Sequence, residues 1–176
     1  MVNAAAAHGD VEAVWALLQK VADPEIPVLS ICDLGIVRKV RIEGEVQVTL
    51  TPTYAGCPAT HVIEQAVLDV LRAHGYAQAR VTTTLSPPWS TDWISPAGRA
   101  KLQAYGIAPP AATRAGGAQV IRFAGLGGIP RTVDAPACPQ CGSLHTELLS
   151  QFGSTACKAL YRCLACREPF DYFKPY

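Results

Sequence analysis

Four cysteines in two pairs carry the clearest chemistry in this 176-residue chain: Cys138-Pro139-Gln140-Cys141-Gly142 and Cys163-Leu164-Ala165-Cys166. Two residues between thiols let a tight turn aim both sulfurs at one ion. The twenty-one residues between the pairs suit a hairpin that folds one knuckle onto the other. Four thiolates in a tetrahedron suit zinc, and a closed ligand set leaves no position open for catalysis. The predicted centre is therefore a structural zinc held by Cys138, Cys141, Cys163 and Cys166. Two other readings use the same residues. Redox pairs of the thioredoxin type want a βαβ setting, which the flanking sequence lacks. A rubredoxin-like iron site wants a glycine after its last cysteine, where this chain has Arg167. A segment this short builds little core, so a metal staple that holds the fold is the simpler account.

Cys32, Cys57 and Cys157 lie outside those pairs. Cys57 precedes Pro58 and a predicted helix, where backbone N–H groups and the helix dipole favour a thiolate. Such a thiol is a candidate soft-metal ligand or nucleophile; equally, it packs as a small apolar residue. Cys32, between Ile31 and Asp33, reads as a buried core thiol. Cys157 reads as an outer thiol near the metal or a contact for a partner. None of His8, His61, His74 and His145 has clear ligand spacing. His61 is the most suggestive, one helical turn beyond Cys57 on the same face. Asp23, Glu25 and Asp33 put three carboxylates into one stretch. Carboxylates around a proline are turn formers, or they position the Cys57 thiol; spacing leaves both open.

Composition narrows the classes. Charged residues are 16% of the chain and the formal net charge is +1, so no basic field awaits a nucleic acid. Hydrophobic residues reach 49%, enough for a globular core. No apolar run is long enough to cross a bilayer. Residues 1–9 show neither a basic nor an apolar stretch of the secretory type, which predicts a cytoplasmic protein. Thiols stay reduced there, and seven cysteines point to metal or reactive chemistry rather than disulfides.

The elements that must position these residues are legible by period. Asp10 is a candidate N-cap for a helix with Val11, Val14, Leu17, Leu18 and Val21 on one face, stopped by Pro24 and Pro27. Ile36–Ile42 and Val46–Thr51 read as strands joined by a tight turn at Glu43-Gly44. A second helix starts at Pro58 with a stripe of Val62, Ile63, Ala66, Val67, Val70 and Leu71, and Gly75 fits its stop. Arg80–Leu85 reads as a third strand. The expected fold class is α+β: an α-β-β-α-β domain over residues 1–86, then a zinc-ribbon-like domain over 118–176. Between them, 87–117 reads as a Pro/Gly-rich linker holding one short helix, with Ser95 as N-cap and Pro96 as its first residue.

Two groups of motifs carry a family resemblance. Asp23-Pro24-Glu25-Ile26-Pro27-Val28-Leu29-Ser30 with Asp33-Leu34-Gly35-Ile36-Val37 resembles the opening motif of the small Fe–S assembly domain of SufT-like proteins. Thr51-Pro52-Thr53-Tyr54-Ala55-Gly56-Cys57-Pro58 resembles that family's second motif, in which the cysteine is the functional thiol. Ser86-Pro87-Pro88-Trp89-Ser90-Thr91-Asp92-Trp93-Ile94, Tyr105–Pro110, Phe152–Tyr161 and Glu168–Lys174 are similar to the PaaD family, which belongs to bacterial phenylacetyl-CoA epoxidase systems.

The resemblance implies an accessory protein of aerobic phenylacetate breakdown, not catalytic alone, that matures an iron or Fe–S centre of a partner component. The oxygenase and reductase of that system are the implied partners. On this reading Cys57 transiently holds iron or a cluster, Glu25 and Asp33 shape its site, and Thr53 and His61 assist. Phe170, Tyr172 and Phe173, with Cys157 nearby, are the expected docking face of the zinc domain. The competing reading is a stable, non-catalytic component that bridges others. An electron carrier with iron on the four thiolates is a third.

Overall fold

The structure is a computed structural model and describes residues 11–111 and 135–176. The chain divides into two compact units, with the boundary after Lys101. Each has its own sheet.

In the first unit, α1 (Val11–Leu18) buries Val14, Leu17 and Leu18. Val11, expected on the same stripe, is exposed, and the predicted cap Asp10 lies outside the described residues. The chain then turns repeatedly, burying Val21, Ile26, Leu29, Ile31, Leu34 and Ile36. The Asp23 carboxylate closes the first turn by accepting the N–H groups of Glu25 (2.9 Å) and Ile26 (2.8 Å). β1 (Val37–Glu43) and β2 (Glu45–Leu50) pair antiparallel around Gly44, whose φ of +78° needs no Cβ. β2 alternates strictly, burying Val46, Val48 and Leu50.

α2 (Thr60–Ala73) buries Ile63, Val67 and Leu71, one residue every four, while Val62 faces out. It ends in a left-handed Gly75: Gly75 N–H reaches Arg72 O and Tyr76 N–H reaches Leu71 O. The chain returns as β3 (Arg80–Thr83), parallel to β2, giving the sheet order β1-β2-β3. The predicted α-β-β-α-β succession is present.

The first unit extends beyond residue 86, where composition suggests a linker. Trp89 is buried and its Nε1 donates to Leu34 O at 2.9 Å. A 3-10 turn (Thr91–Trp93) leads to α3 (Pro96–Ala104), capped as predicted: Ser95 Oγ accepts Gly98 N–H at 2.9 Å. Asp33 gathers this segment. Its backbone carbonyl accepts Ser95 N–H (2.9 Å), and its carboxylate takes Ser30 N–H (3.0 Å), Ser95 Oγ (3.3 Å) and the Lys101 ammonium (2.6 Å). Gly35, at φ +68°, lies so close to Trp93 that a Cβ would sit 2.5 Å from its carbonyl oxygen. The Arg38 guanidinium stacks on the Trp93 ring at 3.4 Å.

The second unit holds β4 (Ile107–Ala108), β5 (Thr146–Ser150), β6 (Lys158–Cys163) and β7 (Pro169–Phe173), in the order β4-β7-β6-β5. β5/β6 and β6/β7 are antiparallel, and β4 runs parallel to β7. Its core joins Ala108, Phe170 and Tyr172 to Cys138 and Cys163, with Tyr161 packed edge-on against Tyr172. The buried Lys158 ammonium meets the Asp171 carboxylate at 3.2 Å. Gly153 is fitted against that pair, where a Cβ would fall 2.7 Å from Asp171 Oδ1. Among the described residues no helix is long and apolar enough to cross a membrane.

The burial of Asp33 generates a prediction. Burial alone would raise its carboxyl, but the Lys101 ammonium and the N–H and hydroxyl of Ser30 hold it below the usual range. A depressed folded-state value stabilises the fold above the unfolded carboxyl value of about 4 and loses that contribution as pH falls through the lower value. Asp33→Ala is expected to cost about 2–3 kcal/mol at pH 7 by leaving Ser30 N–H and Lys101 without their acceptor. Urea titrations at pH 7 and pH 3 check both points, and the gap between variant and wild type should narrow at the lower pH.

Candidate functional site

Two knuckles make the metal centre. In the first, Cys138 N–H donates to Ser143 O (2.9 Å) and Gly142 N–H to Cys138 O (2.8 Å), with Gly142 at φ +73°. In the second, Cys163 N–H donates to Glu168 O (3.0 Å) and Cys166 N–H points at Cys163 Sγ (3.5 Å). The residue matching Gly142 is Arg167, at φ +71°. A side chain in that region costs about 1–2 kcal/mol relative to right-handed backbone. β5 pairs Thr146 with Cys163, which folds one knuckle onto the other.

The four sulfurs lie within 4.8 Å of one another, with Cys138–Cys166 at 3.7 Å and Cys141–Cys163 at 3.6 Å. A tetrahedron with metal–sulfur bonds of about 2.3 Å has sulfur–sulfur edges of roughly 3.8 Å. The two printed edges match that geometry, so the four residues fit a tetrahedral metal ion. Cys163 and Cys138 are buried, Cys141 and Cys166 exposed. The Cys166 and Ala165 N–H groups pull the Cys163 thiol down to about 6, although burial opposes them. Cys166 moves up to about 12. Glu168 N–H favours its thiolate, but burial and the sulfurs of Cys163, Cys141 and Cys138 outweigh it. Crowded sulfurs without a cation share protons; a divalent ion removes that conflict.

The second candidate is Cys57. α2 begins at Thr60 with Ala59 in the cap position, so Cys57 lies two residues ahead of the cap. Its carbonyl accepts Thr60 N–H (3.2 Å) and Thr60 Oγ1 (2.9 Å). The thiol is half-buried, and burial pushes it up. Ala59 N–H and the Thr60 hydroxyl pull the other way, while the Glu25 and Asp23 carboxylates raise it further. The expected low thiol is therefore not what the structure holds: two carboxylates and burial overcome the helix terminus.

The other predicted residues divide. Glu25 is close enough to act on Cys57, and Thr53 is buried. Asp33 is committed to Ser30, Ser95 and Lys101 and is not among the charges that act on Cys57. His61 is a correction. Two positions off the buried stripe of Ile63, Val67 and Leu71, its side chain is 94% exposed and meets Glu64 at 3.3 Å. Phe170, Tyr172 and Phe173 are also corrected. At 4, 3 and 1% exposure they are core, since β7 lies between β6 and β4. Cys157 is buried too, beside the Thr155 hydroxyl (3.0 Å). Cys32, expected as a buried core thiol, is only partly buried, and burial, then Asp33, push its thiol to about 12. Asp23, one of the three carboxylates the sequence offered, acts on Cys57 beside Glu25, and Thr60 is the addition to the site. The spacing Cys57-Pro58-Ala59-Thr60 is the signal that marks Thr60, a hydroxyl in the first turn.

The same division into two parts recurs in known proteins. Residues 11–82 match the family described as iron-sulfur cluster assembly protein, and residues 129–174 match the PaaD zinc beta ribbon domain. An Escherichia coli (strain K12) protein, described as a candidate 1,2-phenylacetyl-CoA epoxidase component, is 48% identical over 93% of this chain and 92% of its own length. An Fe-S protein maturation auxiliary factor of Porphyromonas gingivalis (strain ATCC BAA-308 / W83) is 36% identical over 48% of this chain and 82% of its own. A solved DUF59 domain from Bacillus anthracis aligns at 29% identity and TM-score 0.48, covering 52% of this chain and 90% of that one. An iron-sulfur assembly domain followed by a four-cysteine ribbon, shared nearly end to end with that epoxidase relative, makes this chain a member of the PaaD family of 1,2-phenylacetyl-CoA epoxidase components.

Proposed function

We propose that this protein is a maturation factor that delivers iron, or an Fe–S cluster, to another component of a phenylacetyl-CoA epoxidase system. The observation that carries the reading is Cys57: a half-buried thiol at the entry to α2, in an assembly-type domain, under the influence of carboxylates of the Asp23-Pro24-Glu25 turn. The cargo is a cation or a cationic cluster. Glu25 and Asp23 attract it and, while the site is empty, keep Cys57 protonated. Once the cation offsets those carboxylates, the proton leaves the sulfur, and Ala59 N–H and the Thr60 hydroxyl face the thiolate. Withdrawal of the cargo by a client with a better ligand set returns the proton. A thiol poised in this way holds its cargo weakly enough to give it up.

The four-cysteine centre takes zinc as a resident, structural ion. Cys138, Cys141, Cys163 and Cys166 would hold it, and the ion supplies cross-linking rather than chemistry. The ribbon is then the rigid module that meets the client.

The relative's description as part of the epoxidase favours a second reading, a permanent non-catalytic component of the assembled complex. Co-expression separates the two. The other components are produced with and without this chain, and the purified oxygenase is assayed for iron and turnover. A maturation factor leaves the oxygenase iron-poor when absent, and adding the chain late does not rescue it. Normal iron content, with turnover only when the chain is present, identifies a permanent component.

Cys57→Ser should fold normally, with an unchanged melting temperature, and abolish iron loading of the client; full loading by this variant refutes the Cys57 role. Site-resolved alkylation with iodoacetamide should show Cys57 ionising above the ordinary thiol value of 9.0. Glu25→Gln should shift that midpoint to lower pH, because a negative neighbour is removed. Chelation of the structural metal should unfold residues 135–176 while the first unit keeps its far-UV signal, read by proteolysis and circular dichroism as metal is titrated back.

A further inference from the structure

The two knuckles are alike in sequence but differ in how they hold their sulfurs. In the second, the Cys166 N–H points at Cys163 Sγ at 3.5 Å, the Ala165 N–H joins it, and the Glu168 N–H serves the Cys166 sulfur. In the first, the N–H groups of Gly142 and Cys138 go to carbonyls, Cys138 O and Ser143 O. Among the described residues no N–H group donates to the sulfur of Cys138 or Cys141. Solvent divides the four differently: Cys138 and Cys163 are buried, Cys141 and Cys166 exposed. Cys141 alone is both exposed and without an N–H donor. A bound divalent ion keeps all four ligands as thiolates, so protonation no longer separates them. Access and donated hydrogen bonds do. An N–H aimed at a thiolate draws charge from the sulfur and makes it a poorer nucleophile. By both criteria Cys141 is the sulfur from which chemistry at this centre starts.

We propose that Cys141 is the redox-reactive ligand of the centre: it is the first sulfur to react with hydrogen peroxide, and it then closes a disulfide with Cys163 that dismantles the ligand set. The Cys141 thiolate attacks one peroxide oxygen, the O–O bond breaks, hydroxide leaves, and Cys141 becomes a sulfenic acid. The Cys163 thiolate attacks the Cys141 sulfur, the S–O bond breaks, and a second hydroxide leaves. The two thiolates have lost two electrons, and the peroxide has become two hydroxide ions. Cys163 is the resolving thiol because its sulfur faces Cys141 at 3.6 Å, so an approach of about 1.5 Å brings the two to disulfide length. Cys138 and Cys166 remain, too few ligands to retain a tetrahedral ion. Cys163 also packs with Phe170 and Tyr172, so the oxidation reaches the ribbon core. A dithiol reductant reverses it by thiol–disulfide exchange. The inference rests on the zinc reading of the ribbon and is independent of the maturation role.

The test treats the full-length, zinc-loaded chain with hydrogen peroxide. Zinc release is followed with a chromogenic chelator, and each cysteine is followed over time by differential alkylation and peptide mass spectrometry. Cys141 and Cys163 should be lost together and in step with zinc, ahead of Cys138 and Cys166. Dithiothreitol with added zinc should restore the loaded form. Cys141→His keeps a ligand set of three cysteines and one histidine and removes the reactive thiolate, so it should release zinc about tenfold or more slowly. Where that variant takes up no zinc, the mapping in the wild-type chain decides alone. Zinc retained under peroxide, first loss at Cys138 or Cys166, a disulfide between Cys141 and Cys138, or release at the wild-type rate from Cys141→His overturns this inference and leaves the zinc reading in place. A reduced chain that takes up no zinc overturns both.

Discussion

One buried carboxylate organises the first unit. Asp33 accepts from Ser30 on its own turn, from Ser95 at the cap of α3, and from Lys101 on that helix. A charge at 7% side-chain exposure is tolerable only when its lone pairs are filled, and here they are filled by groups from two separate segments. The turn that carries Asp23 and Glu25 packs in the same stretch through Ile26, Leu29 and Ile31. Asp33 thus acts as a tie between two segments of the first unit rather than as a charge on Cys57.

The ribbon solves the opposite problem. Its apolar core is a handful of side chains, and two of its members, Cys138 and Cys163, are metal ligands. Core and candidate metal site are therefore one structure, and whatever disturbs these sulfurs disturbs the packing as well. The buried pair of Lys158 with Asp171, and the fit of Gly153 against it, show how little slack remains in the loop that precedes β6.

Much of this was legible in the residue pattern. The alternation of Val46, Val48 and Leu50, the Gly44 turn, the Ser95-Pro96 helix start and the paired knuckles each express one local rule, and each appears in the structure. What pattern could not deliver depends on distant contacts. α2 starts at Thr60 rather than Pro58, so Cys57 is not on the helix, and His61 lies off its buried stripe. The aromatic residues of β7 look like an exposed face until β6 and β4 flank the strand. Helix-terminus reasoning predicts a low Cys57 thiol, yet burial, with Glu25 and Asp23 more than thirty positions away, decides the sign. Asp33 resembles a site residue because the sequence around it is distinctive; the distinction belongs to packing against Trp89, Trp93 and Ser95.

The contact between Leu34 and Trp89 bears on what a domain is in this family. The recurring module, as matched by sequence, occupies residues 11–82, whereas the compact unit runs to Lys101. The fifteen residues from Pro87 to Lys101 thus complete the packing of the matched module. Cutting at the inherited border would strip a tryptophan from Leu34, a stacking partner from Arg38 and a counter-ion from Asp33. Recombination that treats the shared module as a portable cassette would transplant an open wound. The smallest piece that keeps these contacts is the module together with its wrapping, because the turn bearing Asp33, Leu34 and Gly35 leans on a segment some sixty residues downstream.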